Sequence, residues 1–206
     1  MDLEVFKNTR YTAFVKHPLD SSKGKYLTKE SLTTMSMNIR QRHMLKSKDI
    51  KELKQTLYGL FDETVINNLL TEKPKVEFLR LDNKEEIIVI NNILSFWITK
   101  EQYIPCLTLL INPDITFSMK SVTVDKGAIR FVANGADIMR PGITVIDEKI
   151  QKGDIIKIQE ETHGRALAVG MAMFDAAEMQ KMTKGKVVKN IHTVNDPVWE
   201  FSKTFR

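Results

Sequence analysis

One cysteine and four histidines are the residues of this 206-residue chain best able to ligate a metal or to serve as nucleophile and base. Cys106 sits in an apolar run, Ile104-Pro105-Cys106-Leu107-Thr108-Leu109-Leu110. That setting suits a buried small hydrophobe, because a reactive thiolate needs positive charge beside it. His17, His43, His163 and His192 fall at no ligand spacing, so the residues do not assemble a tetrahedral zinc set. His163 and Asn134 have no nucleophile or second base at a motif spacing, and His192, in a strand-like run, reads as a packed or interface residue. Asp175 and Glu178, three residues apart, match a capping box at a helix start rather than an acid/base pair. Phe174, Met171, Met173, Met179 and Met182 read as core or partner-facing residues rather than a cofactor box. The expectation is a chain with no catalytic set, no metal and no cofactor.

Binding chemistry is a different matter. The run Val124-Asp125-Lys126-Gly127-Ala128-Ile129-Arg130 leads through Asn134-Gly135-Ala136 to Arg140-Pro141-Gly142-Ile143. Glycines let a phosphate approach the backbone closely, a helix start offers free amide protons, and Lys126, Arg130, Arg140 and Arg165 supply charge. Lys184, Lys186 and Lys189 make a second basic patch. Such a combination fits a polyanion held by shape and a few placed cations. Net charge is +5, and it is uneven: +6 over residues 1–48, −3 over 49–120 and +2 over 121–206. Most of the excess lies in the N-terminal lead, so overall charge is weak support for a polyanionic partner.

Stepping outward, Asp125 reads as the N-cap of a two-turn helix whose buried face is Ala128, Phe131 and Val132. Gly135 fits the left-handed position that closes it. Pro141-Gly142 reads as a turn in which glycine supplies positive φ. The expected groove lies between this 125–135 helix and a 139–143 strand. Lys152-Gly153-Asp154 precedes a strand at 155–158, and Arg165 opens another through Ala172, with Gly170 where a barrel must bend or a backbone comes close. One short helix and several short strands with glycine turns describe a small, partly open barrel.

Upstream, Ser47 is the expected cap of a helix striped by Ile50, Leu53, Leu57 and Leu60. Asp62 starts a second, with Val65, Ile66, Leu69 and Leu70 inward. Strands at 76–81, 86–90 and 94–98 then form an antiparallel meander under the two helices. The chain is therefore expected to be α+β, divided into a flexible or unplaced lead (1–34), an α+β domain (35–120) and a small-barrel domain (121–206). Met35 and Met37 are alternative starts for the natural protein. Hydrophobic residues are 42% and charged residues 28%, an ordinary globular balance. No apolar run approaches the ~20 residues of a membrane-spanning helix, and residues 1–6 do not look like a secretion signal. A soluble, cytoplasmic protein with no membrane partner is the expectation.

The glycine–arginine run just quoted, with Lys152-Gly153-Asp154 and Ala168-Val169-Gly170 following in order, resembles the PUA domain. Beyond it, Lys184-Gly185-Lys186 and Asn190-Ile191-His192-Thr193-Val194-Asn195-Asp196, then Trp199, resemble a narrower group. That group is the malignant-T-cell-amplified-sequence family, with its archaeal relatives and the front half of ligatin. The resemblance spans roughly residues 40–201 and is densest over 121–201. It implies a PUA pseudo-barrel and a non-catalytic RNA-binding role in translation. The expected partners are structured RNA (rRNA or tRNA), the small ribosomal subunit and a density-regulated-like protein, in initiation, reinitiation or recycling. Two alternatives stand beside it: an accessory RNA-binding subunit for tRNA or rRNA modification, since PUA domains often accompany such enzymes, and a protein-interaction adaptor in which the Leu/Met-rich N-terminal domain binds a protein. The site residues expected are Lys126, Gly127, Arg130, Asn134, Gly135, Ala136, Arg140, Pro141, Gly142, Arg165, Lys184 and Lys186.

Overall fold

Helix α1 (Ser47–Tyr58) forms where Leu53 and Leu57, one turn apart, bury completely, with Ile50 packed beside them. Residues 37–99 and 102–205 are described by the computed structural model, so His17, Met35 and the 1–34 lead lie outside the described residues. Ser47 is the first helical residue and not the cap. Lys46 takes that place, its amide donating to Asp49 Oδ2 at 3.2 Å. Leu60 does not join the stripe either. The helix ends at Gly59, leaving Leu60 55% exposed, and Phe61 packs against the core instead. Asp62 does cap α2 (Glu63–Leu69), accepting from the amides of Thr64 and Val65, and Val65, Ile66, Leu69 and Leu70 all face inward.

The meander is present as β2 (Val76–Leu81), β3 (Glu86–Ile90) and β4 (Ile93–Thr99). Two further strands widen it: β1 (Ile39–Met44) at one edge and β5 (Gln102–Pro105) at the other, giving an antiparallel order β1-β2-β3-β4-β5. Both faces of this sheet are covered. Val76, Phe78, Ile88, Ile90, Phe96 and Ile98 pack under α1 and α2. Leu79, Leu81, Ile87 and Val89, the alternating set, pack with Val198 and Phe201 of the last helix, α6 (Pro197–Thr204). Two buried faces explain why Ile87-Ile88-Val89-Ile90 is continuously apolar rather than alternating.

The second unit starts at β6 (Ser121–Val124) and continues through α4 (Lys126–Ala133), β7 (Ile138–Met139), a 3-10 turn (Arg140–Gly142) and β8 (Ile143–Ile146). Then come β9 (Ile155–Glu160), β10 (Ala166–Ala172), α5 (Ala176–Lys181) and β11 (Lys186–Thr193). The sheet order is β7-β11-β10-β9-β6-β8, antiparallel except for β6 against β9. β7 and β8 stand at opposite edges yet are joined by three residues, so the sheet must curl until its edges nearly meet. That is a pseudo-barrel, its core Val122, Ile138, Ile156, Ile158 and Val188. Gly170 is needed at its tightest point: an added Cβ would stand 2.6 Å from the Lys189 carbonyl oxygen and 2.7 Å from Val188 Cγ1.

Helix α3 (Leu107–Leu110) and β10 join the two units through Ile104, Leu107, Ala166 and Val169, with Trp97 and Trp199 packed around them. Buried His192 bridges this seam. Its Nε2 accepts from the Leu107 amide at 3.0 Å and its Nδ1 meets Asp196 Oδ2 at 2.6 Å. An amide only donates and a carboxylate only accepts, so these partners select the neutral tautomer protonated at Nδ1. Asp196 also caps α6 through the Trp199 amide. His192 is thus the packed interface residue its position suggested.

Candidate nucleic-acid interface

Asp125 caps α4 as expected, its Oδ1 accepting from the Ala128 amide at 2.8 Å. The consequence for anion binding is the reverse of the expectation. Glu161 Oε1 takes the Lys126 amide at 3.3 Å, so two of the first-turn donors already face carboxylates of the protein. The open surface of α4 is therefore its side and not its start.

That side is a single stripe. Gly127, Arg130, Phe131 and Asn134 fall at i, i+3, i+4 and i+7, and all four are exposed. Phe131 is 66% exposed and does not belong to the buried face. Val132 fills the core and Ala128 packs beside it, because a short helix lying on a strongly curved sheet touches it along one narrow line. The reading of Ala128, Phe131 and Val132 as one apolar face is therefore corrected at Phe131.

Gly142 is also corrected. It is the last residue of the 3-10 turn and has no positive φ. It is small because α4 lies against it: an added Cβ would stand 3.1 Å from the Ala128 Cβ, and the Asp125 amide donates to the Gly142 carbonyl. The expected 139–143 strand is interrupted by this turn. Pro141 is exposed at its crest. Gly135 does adopt the left-handed conformation, at φ +80°, and closes α4 with its amide on the Val132 carbonyl. Asn190 holds that end in place, its Nδ2 donating to the carbonyls of Val132 and Ala136.

The cations divide into two kinds. Arg140 is turned into the fold: Nε donates to the Met179 carbonyl at 2.7 Å and Nη1 to the Ile143 carbonyl at 3.1 Å, tying the turn to α5. Lys186 pairs with Asp137 at 2.8 Å. Lys126, Arg130, Arg165 and Lys184 are exposed, with no ion-pair partner among the described residues. Arg165 lies in the β9–β10 turn, and Glu160 organises that turn by accepting from the amides of Thr162, His163 and Arg165. Burial works against the Glu160 charge, yet these three amide donors prevail and hold its carboxyl below the ordinary value. Met139, on β7 beside Lys186, is half exposed. Cys106 is fully buried, and burial pushes its thiol up. Among the described residues no His/Cys/Asp/Glu group could hold a metal, and no helix is long and apolar enough to cross a membrane.

Sequence reasoning named Gly127, Arg130 and Asn134 as site residues; the structure brings them onto one exposed face together with Phe131, which had been assigned inward. The signal was available: the polar and glycine positions already defined the outer stripe, and residue 131 lies inside it.

Two family models match the chain, a Pre-PUA-like domain over residues 34–113 and a PUA domain over residues 120–194. Malignant T-cell-amplified sequence 1 of Rattus norvegicus is 33% identical over 89% of this chain and 99% of its own length. The chain belongs to the malignant-T-cell-amplified-sequence family. Translation machinery-associated protein 20 of Saccharomyces cerevisiae is 31% identical over 80% of this chain and 94% of its own. A crystal structure of a hypothetical protein from the archaeon Pyrococcus horikoshii has a TM-score of 0.70 at 36% identity, covering 79% of this chain and 99% of that one. In family terms, the five-stranded unit is the Pre-PUA-like domain and the curled sheet is the PUA domain. Helix α6, which covers the outer face of the first sheet, lies past the end of both models.

Proposed function

We propose that this chain is a non-catalytic RNA-binding protein of translation, acting in the cytoplasm on the small ribosomal subunit or tRNA during initiation, reinitiation or recycling. The observation that carries the RNA contact is the exposed α4 side, where Lys126 and Arg130 stand uncommitted beside Gly127 and Asn134. Arg165 and Lys184 extend that positive surface, with Lys186 neutralised in part by Asp137. The translational role rests on family: relatives at 31–33% identity carry the names translation machinery-associated protein 20 and malignant T-cell-amplified sequence 1. A density-regulated-like partner is part of the same reading and rests on family alone.

Arg140 is a poor probe of this surface because it also holds the fold together. The informative variant is Lys126→Glu with Arg130→Glu. It should weaken binding to purified small ribosomal subunits at least tenfold and flatten the salt dependence by about two in log–log slope. Unchanged affinity in a folded variant would remove this face from the proposal. Crosslinking in cells followed by sequencing of the bound RNA distinguishes the targets. Small-subunit rRNA fits the proposal, whereas a modification guide RNA points to an accessory subunit of an RNA-modifying enzyme.

A further inference from the structure

We propose that the exposed edge formed by β1 and the start of α1 is a second RNA-backbone contact, at the opposite side of the first sheet from the seam with the PUA domain. The inference rests on the RNA-binding reading above and goes further: the chain engages RNA at two separated surfaces rather than one.

The positive charge of the Pre-PUA-like domain is gathered there. Residues 37–48 hold four cations, Arg40, Arg42, Lys46 and Lys48, and no acid, so +4 of the +6 over residues 1–48 falls on them. Lys51 and Lys54 follow on α1 against Asp49 and Glu52, whereas residues 56–120 hold six cations and nine acids. Arg42 is committed to Glu77 at 2.6 Å, and Lys54 lies over the Tyr58 ring. Arg40, Lys46 and Lys51 are exposed with no ion-pair partner among the described residues, and Lys48 has only a 3.7 Å contact with Glu52. Folding alone does not call for this set. Charges on an edge strand guard it against pairing with other strands, which accounts for Arg40 but not for the lysines of α1. At Lys46 and Lys48 the helix macrodipole disfavours positive charge, and acids are the stabilising choice.

A phosphate backbone is the partner this edge fits. Arg40 and Lys46 are separated by at most about 20 Å of extended chain, and Lys48 and Lys51 share one side of α1, so the free cations form a row rather than a pocket. β1 is an edge strand, and its unpaired amides can donate to phosphate oxygens beside Arg40. Its exposed apolar residues, Ile39 and Met44, stand at opposite ends with Arg40, Gln41, Arg42 and His43 between them. They make no contiguous patch, which a protein partner would need as the core of its interface. None of the exposed residues from Asn38 to Gln55 is aromatic, so the contact is to the backbone and carries no sequence preference. β1 and β5 are opposite edges of the five-stranded sheet, and β5 lies at the seam with the PUA domain. Four strand spacings of about 4.8 Å put the row roughly 19 Å from β5. An RNA that reaches both surfaces must therefore be long or folded, and it gains affinity from holding on at two places.

The experiment uses the full chain with two probes, purified small ribosomal subunits and a short RNA hairpin. Lys48→Glu with Lys51→Glu should weaken subunit binding about fivefold or more and lower the log–log salt slope by about two. Lys48→Gln with Lys51→Gln should lower the slope equally with a smaller loss, about threefold. Lys48→Arg with Lys51→Arg should bind as wild type, and all three variants should keep the wild-type thermal midpoint. At low salt two hairpins should bind each wild-type chain, falling to one after either Lys48→Glu/Lys51→Glu or Lys126→Glu/Arg130→Glu. Unchanged subunit affinity and salt slope in a folded Lys48→Glu/Lys51→Glu chain overturns the second contact. If Lys126→Glu/Arg130→Glu still weakens binding, the reading of the α4 side stands; if neither pair matters, both readings fall. A single hairpin on the wild-type chain also overturns the second contact. Unchanged RNA affinity with nuclease-resistant protein capture lost in Lys48→Gln/Lys51→Gln assigns the edge to an acidic protein instead.

Discussion

Arg130 and Arg140 are ten residues apart in the segment that reads most strongly as RNA-binding, and the structure gives them opposite employment. Arg130 stands on the open side of α4, while Arg140 spends its guanidinium on the carbonyls of Met179 and Ile143. The same division separates Lys184 from Lys186, which is paired with Asp137. Charge in a sequence counts cations; only the fold says which have been used. The wanted cation for a ligand is one whose removal the protein itself does not feel.

The largest effect that could break this division is on stability. Arg140→Ala leaves two partly buried carbonyls without their charged donor and should cost roughly 2–3 kcal/mol, read as a shifted denaturant midpoint at unchanged m-value. A midpoint equal to wild type would place Arg140 back among the ligand-binding cations. Arg130→Ala should do the converse, changing stability by no more than about 0.5 kcal/mol while lowering RNA affinity by about 1 kcal/mol and the salt slope by about one. Smaller still, Asp137→Asn should release Lys186 and raise RNA affinity two- to threefold, with a steeper salt dependence in a filter-binding titration. Some loss of stability accompanies it, because Asp137 also accepts from the Asn190 amide.

The smallest effect is a pH dependence. Glu160 has its carboxyl held below the ordinary value, so its contribution is complete above the range where an unfolded glutamate titrates. It is lost as pH falls through the lower folded value. Glu160→Gln should therefore be less stable than wild type at neutral pH, with the gap closing in acid. A gap that widens on acidification would contradict the role of the three amide donors around it.

Much of the architecture was legible because local signals agreed with the fold. Asp62 and Asp125 cap the helices they precede, Gly135 is left-handed, and Gly170 sits where two strands crowd. Where reading failed, a tertiary fact was responsible. β1 is an edge strand whose residues are exposed or half-exposed, so Ile39-Arg40-Gln41-Arg42-His43-Met44 carries no alternation to detect. β5 ends in Pro105, which reads as punctuation but is tolerated on an edge. Phe131 was assigned inward because three apolar residues at helical spacing look like a core face, and the curved sheet beneath α4 lets only Ala128 and Val132 make contact. The cap at Lys46 depends on the Asp49 carboxylate more than on the cap residue itself. Commitment of Arg140 to α5, thirty-nine residues away, had no local trace.

Helix α6 carries a consequence for how such chains can be cut and recombined. The chain leaves the curled sheet, passes the His192–Asp196 clasp, and lays Val198 and Phe201 on Leu79, Leu81, Ile87 and Val89 of the first sheet. Arg42 on β1 completes the lacing, paired with Glu77 and lying over the Phe205 ring at 5.2 Å. The boundary between the two units near residue 120 is thus a seam in sequence but not in cover. Exchanging the RNA-binding unit for another up to residue 194 would strip the first sheet of its roof unless residues 195–205 stayed with their original host.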